Sequence, residues 1–349
     1  QALSAREAVM YGTGSDSCGI LPEHIICGNG AAELMFALSG AFRPTRALLA
    51  VPSFFEYEQA LDAFGCEITR CRLRPEEDFN LAESFLEKVI SFARPGAFGD
   101  VSFENGATES ALPEQKKISV SERLMLILGN PNNPTGRTIE KSVLHRLLRI
   151  CGEYHIFLVL DESFFDFLSD DDQRGTFSGA AEVPENPGVF VIRSFTKIYA
   201  MPGIRFGYGI CADQELLAKM RQLLQPWNVS LIAQEAAFVA ASEYDFARTS
   251  AVLTRQNREL LTKALAELGI RMFPSSVNFL LFQAPPGLDA YCLSHGFLIR
   301  ECSNFPGLEP LDSCCQKRNY RICVRSQAEN DALLQVMKLF MNEEKGEVC

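Results

Sequence analysis

Histidine is scarce in this chain, four residues in 349, and none stands in the HxxxH spacing of a helical metal site. The twelve cysteines include no CxxC. The closest pairs, Cys66 with Cys71 and Cys314 with Cys315, lack zinc spacing. No metal is expected, and the thiols are expected to stay reduced and act as small hydrophobes. No apolar run reaches the roughly 18 to 20 residues of a membrane span, and no charged-then-apolar signal opens the sequence. A cytoplasmic location without membrane attachment follows as an expectation. Basic charge is also short: 33 Lys+Arg against 44 Asp+Glu leave a net charge of −11, with no basic run to meet a phosphate backbone. No nucleic-acid partner is expected.

What is present is alternation. The length predicts one large and one smaller domain. Near-continuous apolar runs at 46–51, 124–129, 156–160, 189–193 and 206–211 read as strands buried on both faces. Between them, 31–42, 141–154 and 214–224 place apolar residues at helical spacing. This predicts an α/β fold, a doubly wound, largely parallel sheet in a three-layer αβα large domain. The stretch 95–120, rich in Gly, Pro, Ser and Glu, reads as a surface insertion. A helical pattern from about 230 to 268 connects to strand-like runs at 278–284, 297–302 and 319–325 and a last helix near 328–341, which predict a smaller α+β domain. The expected division is a residual N-terminal segment at 1–19, a large domain at 20–240 and a small domain at 241–349.

In open α/β sheets ligands bind beyond the carboxyl ends of the strands. Four such ends carry chemistry: "GNGAAEL" (28–34), "NPNNPTG" (130–136), "DESFFDF" (161–167) and "SFTK" (194–197). Glycines opening a helix suit a phosphate, because free N–H groups and the helix dipole converge there. An acid, an amide, a lysine and a phosphate cradle on one rim suit pyridoxal 5′-phosphate. Its aldehyde needs a lysine amine, its pyridine nitrogen a carboxylate, its phosphate N–H donors and an arginine.

"NPNNPTG", "DESFFDF" and "SFTKIYAMPGIRFGY" together resemble the fold-type I pyridoxal-phosphate enzymes of the class I/II aminotransferase superfamily over nearly the whole chain. The resemblance implies that Lys197 forms the Schiff base, Asp161 partners the pyridine nitrogen and Asn133 donates to the ring hydroxyl. It also implies that Ser194 and Arg205, with the backbone around Gly30 and Ala31, hold the phosphate, and that Phe54 stacks on the ring. A homodimer is implied as well.

Within the superfamily the chain resembles the branch holding L-threonine-O-3-phosphate decarboxylases and histidinol-phosphate aminotransferases. Three stretches lean to the decarboxylases: "QPWNVSLIAQEAA" (225–237), which makes Asn228 a substrate-binding candidate, "IRECSNFPGLEP" (299–310) and "NYRICVRSQAEN" (319–330). Phe164 leans the same way, since the aminotransferases of the branch usually carry tyrosine there. In "NYRICVR" strand alternation would put Arg321 and Arg325 on one face. By family position Arg321 clamps the substrate carboxylate, while Arg325 and Arg300 are candidates for its phosphate. The implied reaction is decarboxylation of L-threonine O-3-phosphate to (R)-1-amino-2-propanol O-2-phosphate in cobalamin biosynthesis. The alternative is amino transfer from histidinol phosphate, or an aromatic amino acid, to 2-oxoglutarate. The partner is therefore a small phosphorylated amino acid or amine. The sequence resembles the family only after the family's N-terminal arm and Tyr-Pro segment.

Overall fold

The computed structural model describes residues 1–11, 19–94, 122–168, 178–309 and 317–346. Its larger sheet is built from β1 (Ile25–Gly28), β2 (Arg46–Val51), β3 (Glu67–Arg72), β4 (Leu124–Gly129), β5 (Ile156–Asp161), β6 (Val189–Ser194) and β7 (Gly207–Ile210). The strand order is β1-β7-β6-β5-β4-β2-β3. From β3 to β6 all pairings are parallel, whereas β7 runs antiparallel to β6 and to β1.

Every residue of β4, β5 and β6 is buried, and the two-residue period of a strand divides them between two cores. Leu124, Leu126, Leu128, Leu158 and Leu160 face one core, with apolar residues of the helices Glu83–Ala93, Lys141–Glu153 and Leu231–Ala240. Met125, Ile127, Phe157, Val159 and Ile192 face the other, with the helices Ala31–Phe42, Glu56–Asp62 and Gln214–Leu223. This is the three-layer fold expected. Leu126 is fully buried, so truncating it to Ala would cost about 2–5 kcal/mol.

A second, antiparallel sheet contains β8 (Arg271–Met272), β9 (Phe279–Ala284), β10 (Arg300–Glu301) and β11 (Arg318–Cys323), in the order β10-β11-β9-β8. The helices Leu288–Ser294 and Gln327–Gly346 complete its core. The helix Tyr244–Glu267 serves both sheets: Ala247 packs with Phe165 and Ile198, while Leu261 and Leu265 lie in the smaller core.

Several elements differ from the sequence reading. The pattern at 230–268 is two helices, Leu231–Ala240 and Tyr244–Glu267, with a break between them. The run 297–302 pairs only at Arg300–Glu301. Edge strand β3 went unpredicted because only Thr69 and Cys71 of its six residues are buried. The proposed insertion at 95–120 lies outside the described residues. Among the described residues no helix is long and apolar enough to cross a membrane, and no group of His, Cys, Asp or Glu could hold a metal ion.

Candidate active site

Where β4, β5 and β6 end, a cavity of about 300 Å³ opens, and Ala31, Phe54, Asn133, Asp161, Ser194, Lys197 and Arg205 all contribute to its wall. Each arrives for a local reason. Asp161 is the last residue of β5 and Ser194 the last of β6. Lys197 sits one turn on, in the short helix Phe195–Ile198, anchored by the buried Phe195 and Ile198. Asn133 is in the Asn-Pro loop after β4, closed by the hydrogen bond from Gly136 N to Asn132 O.

The Lys197 side chain projects into this space, and its ammonium lies 5.6 Å from the Phe164 ring centre. Partial enclosure by these walls lowers its pKa, although the side chain still reaches solvent, against the opposing pull of Asp161 and with a further push from Arg205 and Arg321. Asp161 Oδ2 accepts a 2.6 Å hydrogen bond from the Tyr57 hydroxyl, and Oδ1 accepts from Ser163 N at 2.9 Å. Burial, then the neighbouring Asp161 charge, holds the Tyr57 phenol well above its ordinary range, so it remains a donor. Ser194 Oγ and Thr196 Oγ1 are 2.7 Å apart, both buried in the wall. Phe54 meets Tyr57 edge to face with ring centres 5.6 Å apart.

Opposite Lys197, Gly30 caps the helix Ala31–Phe42 with φ 87°. A β-carbon on Gly30 would fall 2.4 Å from Arg205 Nη2, and one on Gly207 would fall 2.7 Å from Ala31 N. Both glycines are required for the guanidinium and the helix N-terminus to meet. Arg205 itself holds φ 60°, a left-handed conformation that a side chain disfavours.

A second cavity, about 690 Å³, shares Lys197 and Phe164 with the first and is lined on its far side by Arg300, Asn304, Arg321 and Cys323. Arg300 and Arg321 are directly opposed across the β10–β11 ladder. Arg321 stands 5.2 Å over the Phe279 ring and donates from Nη1 to Asn133 Oδ1, which ties the smaller sheet to the Asn-Pro loop.

The residues from 4 to 337 match the family model described as "Aminotransferase class I and II". The chain belongs to that family. Within the aminotransferase class I and II family, the threonine-phosphate decarboxylase of Salmonella typhimurium is 30% identical over 318 residues, 90% of this chain and 76% of that protein. The histidinol-phosphate aminotransferase of Brevibacillus brevis is 25% identical over 331 residues, 93% of this chain and 78% of that one. The solved histidinol-phosphate aminotransferase of Clostridium acetobutylicum superposes with a TM-score of 0.76 at 25% identity, covering 98% of this chain and 89% of the other. The superfamily, fold type and cofactor expected from the motifs agree with these findings, and the family's cofactor, pyridoxal 5′-phosphate, is the cofactor of this chain.

The donor set fits that group. The glycine-opened cradle of Arg205, Ser194 and the Ala31 helix suits a phosphate, the buried Asp161 carboxylate a pyridine nitrogen, and the Lys197 amine an aldehyde.

Two expected substrate residues are elsewhere. Asn228 donates from Nδ2 to Glu33 Oε2 at 2.7 Å and faces a different cavity, beside Ala2, Cys27 and Phe238. It closes the turn before the helix Leu231–Ala240 instead of meeting Lys197. Arg325 lies beyond the end of β11 at Cys323, so strand alternation no longer aims it, and its Nε pairs with Glu329 Oε1 at 2.7 Å. Tyr57 was missed. Phe54 precedes the helix Glu56–Asp62 and Tyr57 lies in its first turn, so no periodicity in the sequence pairs the two rings.

Proposed function

We propose that this protein decarboxylates L-threonine O-3-phosphate to (R)-1-amino-2-propanol O-2-phosphate, as a cytoplasmic homodimer. The observation that carries this reading is the facing pair Arg300 and Arg321 in a chamber whose inner wall is Lys197 and Phe164. Two arginines at facing ladder positions on one chamber wall suit a substrate that carries both an α-carboxylate and a phosphate. The 30% identity to a threonine-phosphate decarboxylase supports the same choice.

Arg205, Ser194 and the first turn of the Ala31–Phe42 helix would hold the cofactor phosphate, Asp161 its pyridine nitrogen, Asn133 its ring hydroxyl and Phe54 one ring face. When bound, pyridoxal phosphate joins the substrate amine and draws electrons from its α-carbon, so that a bond there can break. Arg321 binds the substrate carboxylate, and Arg300 is the candidate for its phosphate. Which α-carbon bond breaks depends on how the Arg321 contact orients that carboxylate, since a held geometry selects one path over another. In its ammonium form Lys197 can deliver a proton to the α-carbon after CO2 leaves, and its lowered pKa makes that ammonium a stronger acid than a surface lysine and leaves a neutral amine once the proton is given.

The dimer has its own support. On the helix Leu231–Ala240 and the turn before it, Trp227, Leu231, Ile232, Phe238 and Val239 are 93%, 72%, 70%, 67% and 57% exposed. The helical four fall on one face by their spacing, an apolar stripe of the kind that a subunit interface covers.

The test is Arg300→Ala. We expect KM for phosphothreonine to rise about tenfold, the loss of one charge-assisted contact, with KM for a substrate analogue lacking the phosphate unchanged. Equal losses for both would remove Arg300 from the phosphate role.

A further inference from the structure

Behind the floor of the cofactor cavity lies a buried charged cluster that touches neither cavity. The helix Ala2–Tyr11 contributes two adjacent ionic residues, Arg6 and Glu7, both with no solvent exposure. Arg6 Nη2 pairs with Asp166 Oδ1 at 2.9 Å. Its guanidinium also stands 5.1 Å over the Phe195 ring and 5.6 Å over the Tyr199 ring. Those two aromatics flank Lys197, and Asp166 belongs to the short turn that follows Asp161. Glu7 reaches the other side of the same structure: Oε1 accepts a 2.5 Å hydrogen bond from Tyr208, and Oε2 lies 3.4 Å from Arg193 Nη2. Arg193 precedes Ser194 and also pairs with Glu162 at 3.1 Å, the residue after Asp161. Glu162 in turn accepts from Ser178 Oγ at 2.9 Å and Gly179 N at 2.7 Å.

Taking buried ions out of water is costly, and replacing such pairs by apolar residues often leaves stability unchanged or raised, so stability alone is a weak reason for them. Their geometry offers another. Directional, charge-assisted bonds fix distances more tightly than apolar packing does. Here they run from one helix to the segments just before and after Asp161, Ser194 and Lys197.

We propose that Arg6 and Glu7 are positioning residues: the helix Ala2–Tyr11 sets the distance between Lys197 and Asp161, and so the affinity and electronic state of the bound cofactor. The proposal rests on the reading of Lys197 and Asp161 as cofactor residues. Loosening the Arg6 contacts frees the Lys197 turn against the Asp161 turn without touching any group that meets the cofactor.

The experiment uses the full chain loaded with pyridoxal phosphate and compares Arg6→Met, Arg6→Lys and Glu7→Gln with the parent and with Arg255→Met, a charge removed from an exposed helix position. Three quantities are read: the cofactor Kd by absorbance titration, the pH midpoint of the bound-cofactor absorption band, and the unfolding temperature. In Arg6→Met we expect Kd to weaken about tenfold and, separately, the midpoint to move by about one unit, a tenfold change in the protonation equilibrium of the bound cofactor. Arg6→Lys should recover most of both, and Arg255→Met should change neither. Glu7→Gln keeps the shape of the side chain and should give a smaller change in the same two quantities, which preserves the test if Arg6→Met does not fold. A lowered unfolding temperature with an unmoved Kd and midpoint in Arg6→Met and Glu7→Gln would overturn the proposal and leave a purely structural cluster. Lys197→Ala separates the underlying reading: if it retains the absorption band, the assignment of Lys197 fails and the proposal falls with it, an outcome distinct from an unmoved Kd and midpoint in Arg6→Met.

Discussion

Lys197 stands between charges of opposite effect. Burial lowers its pKa, Asp161 raises it, and Arg205 and Arg321 lower it further. The signs give a residue-scale prediction in cofactor-free protein, where labelling of Lys197 by an amine-selective reagent against pH reports the fraction of free amine. The midpoint should lie below the ordinary lysine value of about 10.4. It should fall further in Asp161→Asn, because a stabilising anion is gone, and rise in Arg205→Met, because a repelling cation is gone. A midpoint unmoved in both variants would show that burial alone sets the pKa. Gly30→Ala tests the cradle at the same scale. The new β-carbon must displace the Arg205 guanidinium at a position of positive φ, and titration should show a cofactor Kd at least about tenfold weaker with circular dichroism unchanged.

The part of the cavity legible in the sequence is its lining by residues of short motifs: Lys197, Asp161, Asn133 and Arg205 all line it. Tyr57 and the Arg6–Glu7 pair were not legible, because what defines them is a partner far along the chain, Asp161 for Tyr57 and Asp166, Arg193 and Tyr208 for the pair. In "SAREAV" hydropathy gives no sign that the two charges are buried.

At the scale of elements, strand ends decide what reaches the site. β11 stops at Cys323, so Arg321 meets the second cavity while Arg325 turns to Glu329 across one turn of the next helix. Arg325→Ala should therefore leave kcat and KM for the preferred substrate within about twofold, the usual scale of an exposed ion pair. A tenfold rise in KM would put Arg325 back in the substrate chamber. The fully buried strands were readable because burial on both faces leaves an unbroken apolar run. β3 was not, since an edge strand is polar by half, and the run at 297–302 shortens to the two-residue β10 because a short ladder is set by its partner rather than by its own composition. The break at 241–243 was hidden because apolar spacing continues on both sides of it and no proline or glycine marks it.

At the scale of the molecule, the exposed stripe of Leu231, Ile232, Phe238 and Val239 argues for assembly. Sedimentation at micromolar concentration should give a dimer, and Ile232→Glu with Phe238→Glu should give a monomer with far-ultraviolet circular dichroism preserved. A monomeric parent with full cofactor occupancy would count against the stripe as an interface. The proposed reaction is likewise a property of the whole, since the first cavity and the paired arginines come from different sheets and meet at Lys197, Phe164 and the Arg321–Asn133 hydrogen bond. The most direct test offers L-threonine O-3-phosphate to the loaded enzyme without a keto acid, and separately histidinol phosphate with 2-oxoglutarate, measuring CO2 and glutamate. We expect multiple-turnover CO2 release in the first and no glutamate in the second; glutamate formation with no CO2 would contradict the decarboxylase and make the protein an aminotransferase.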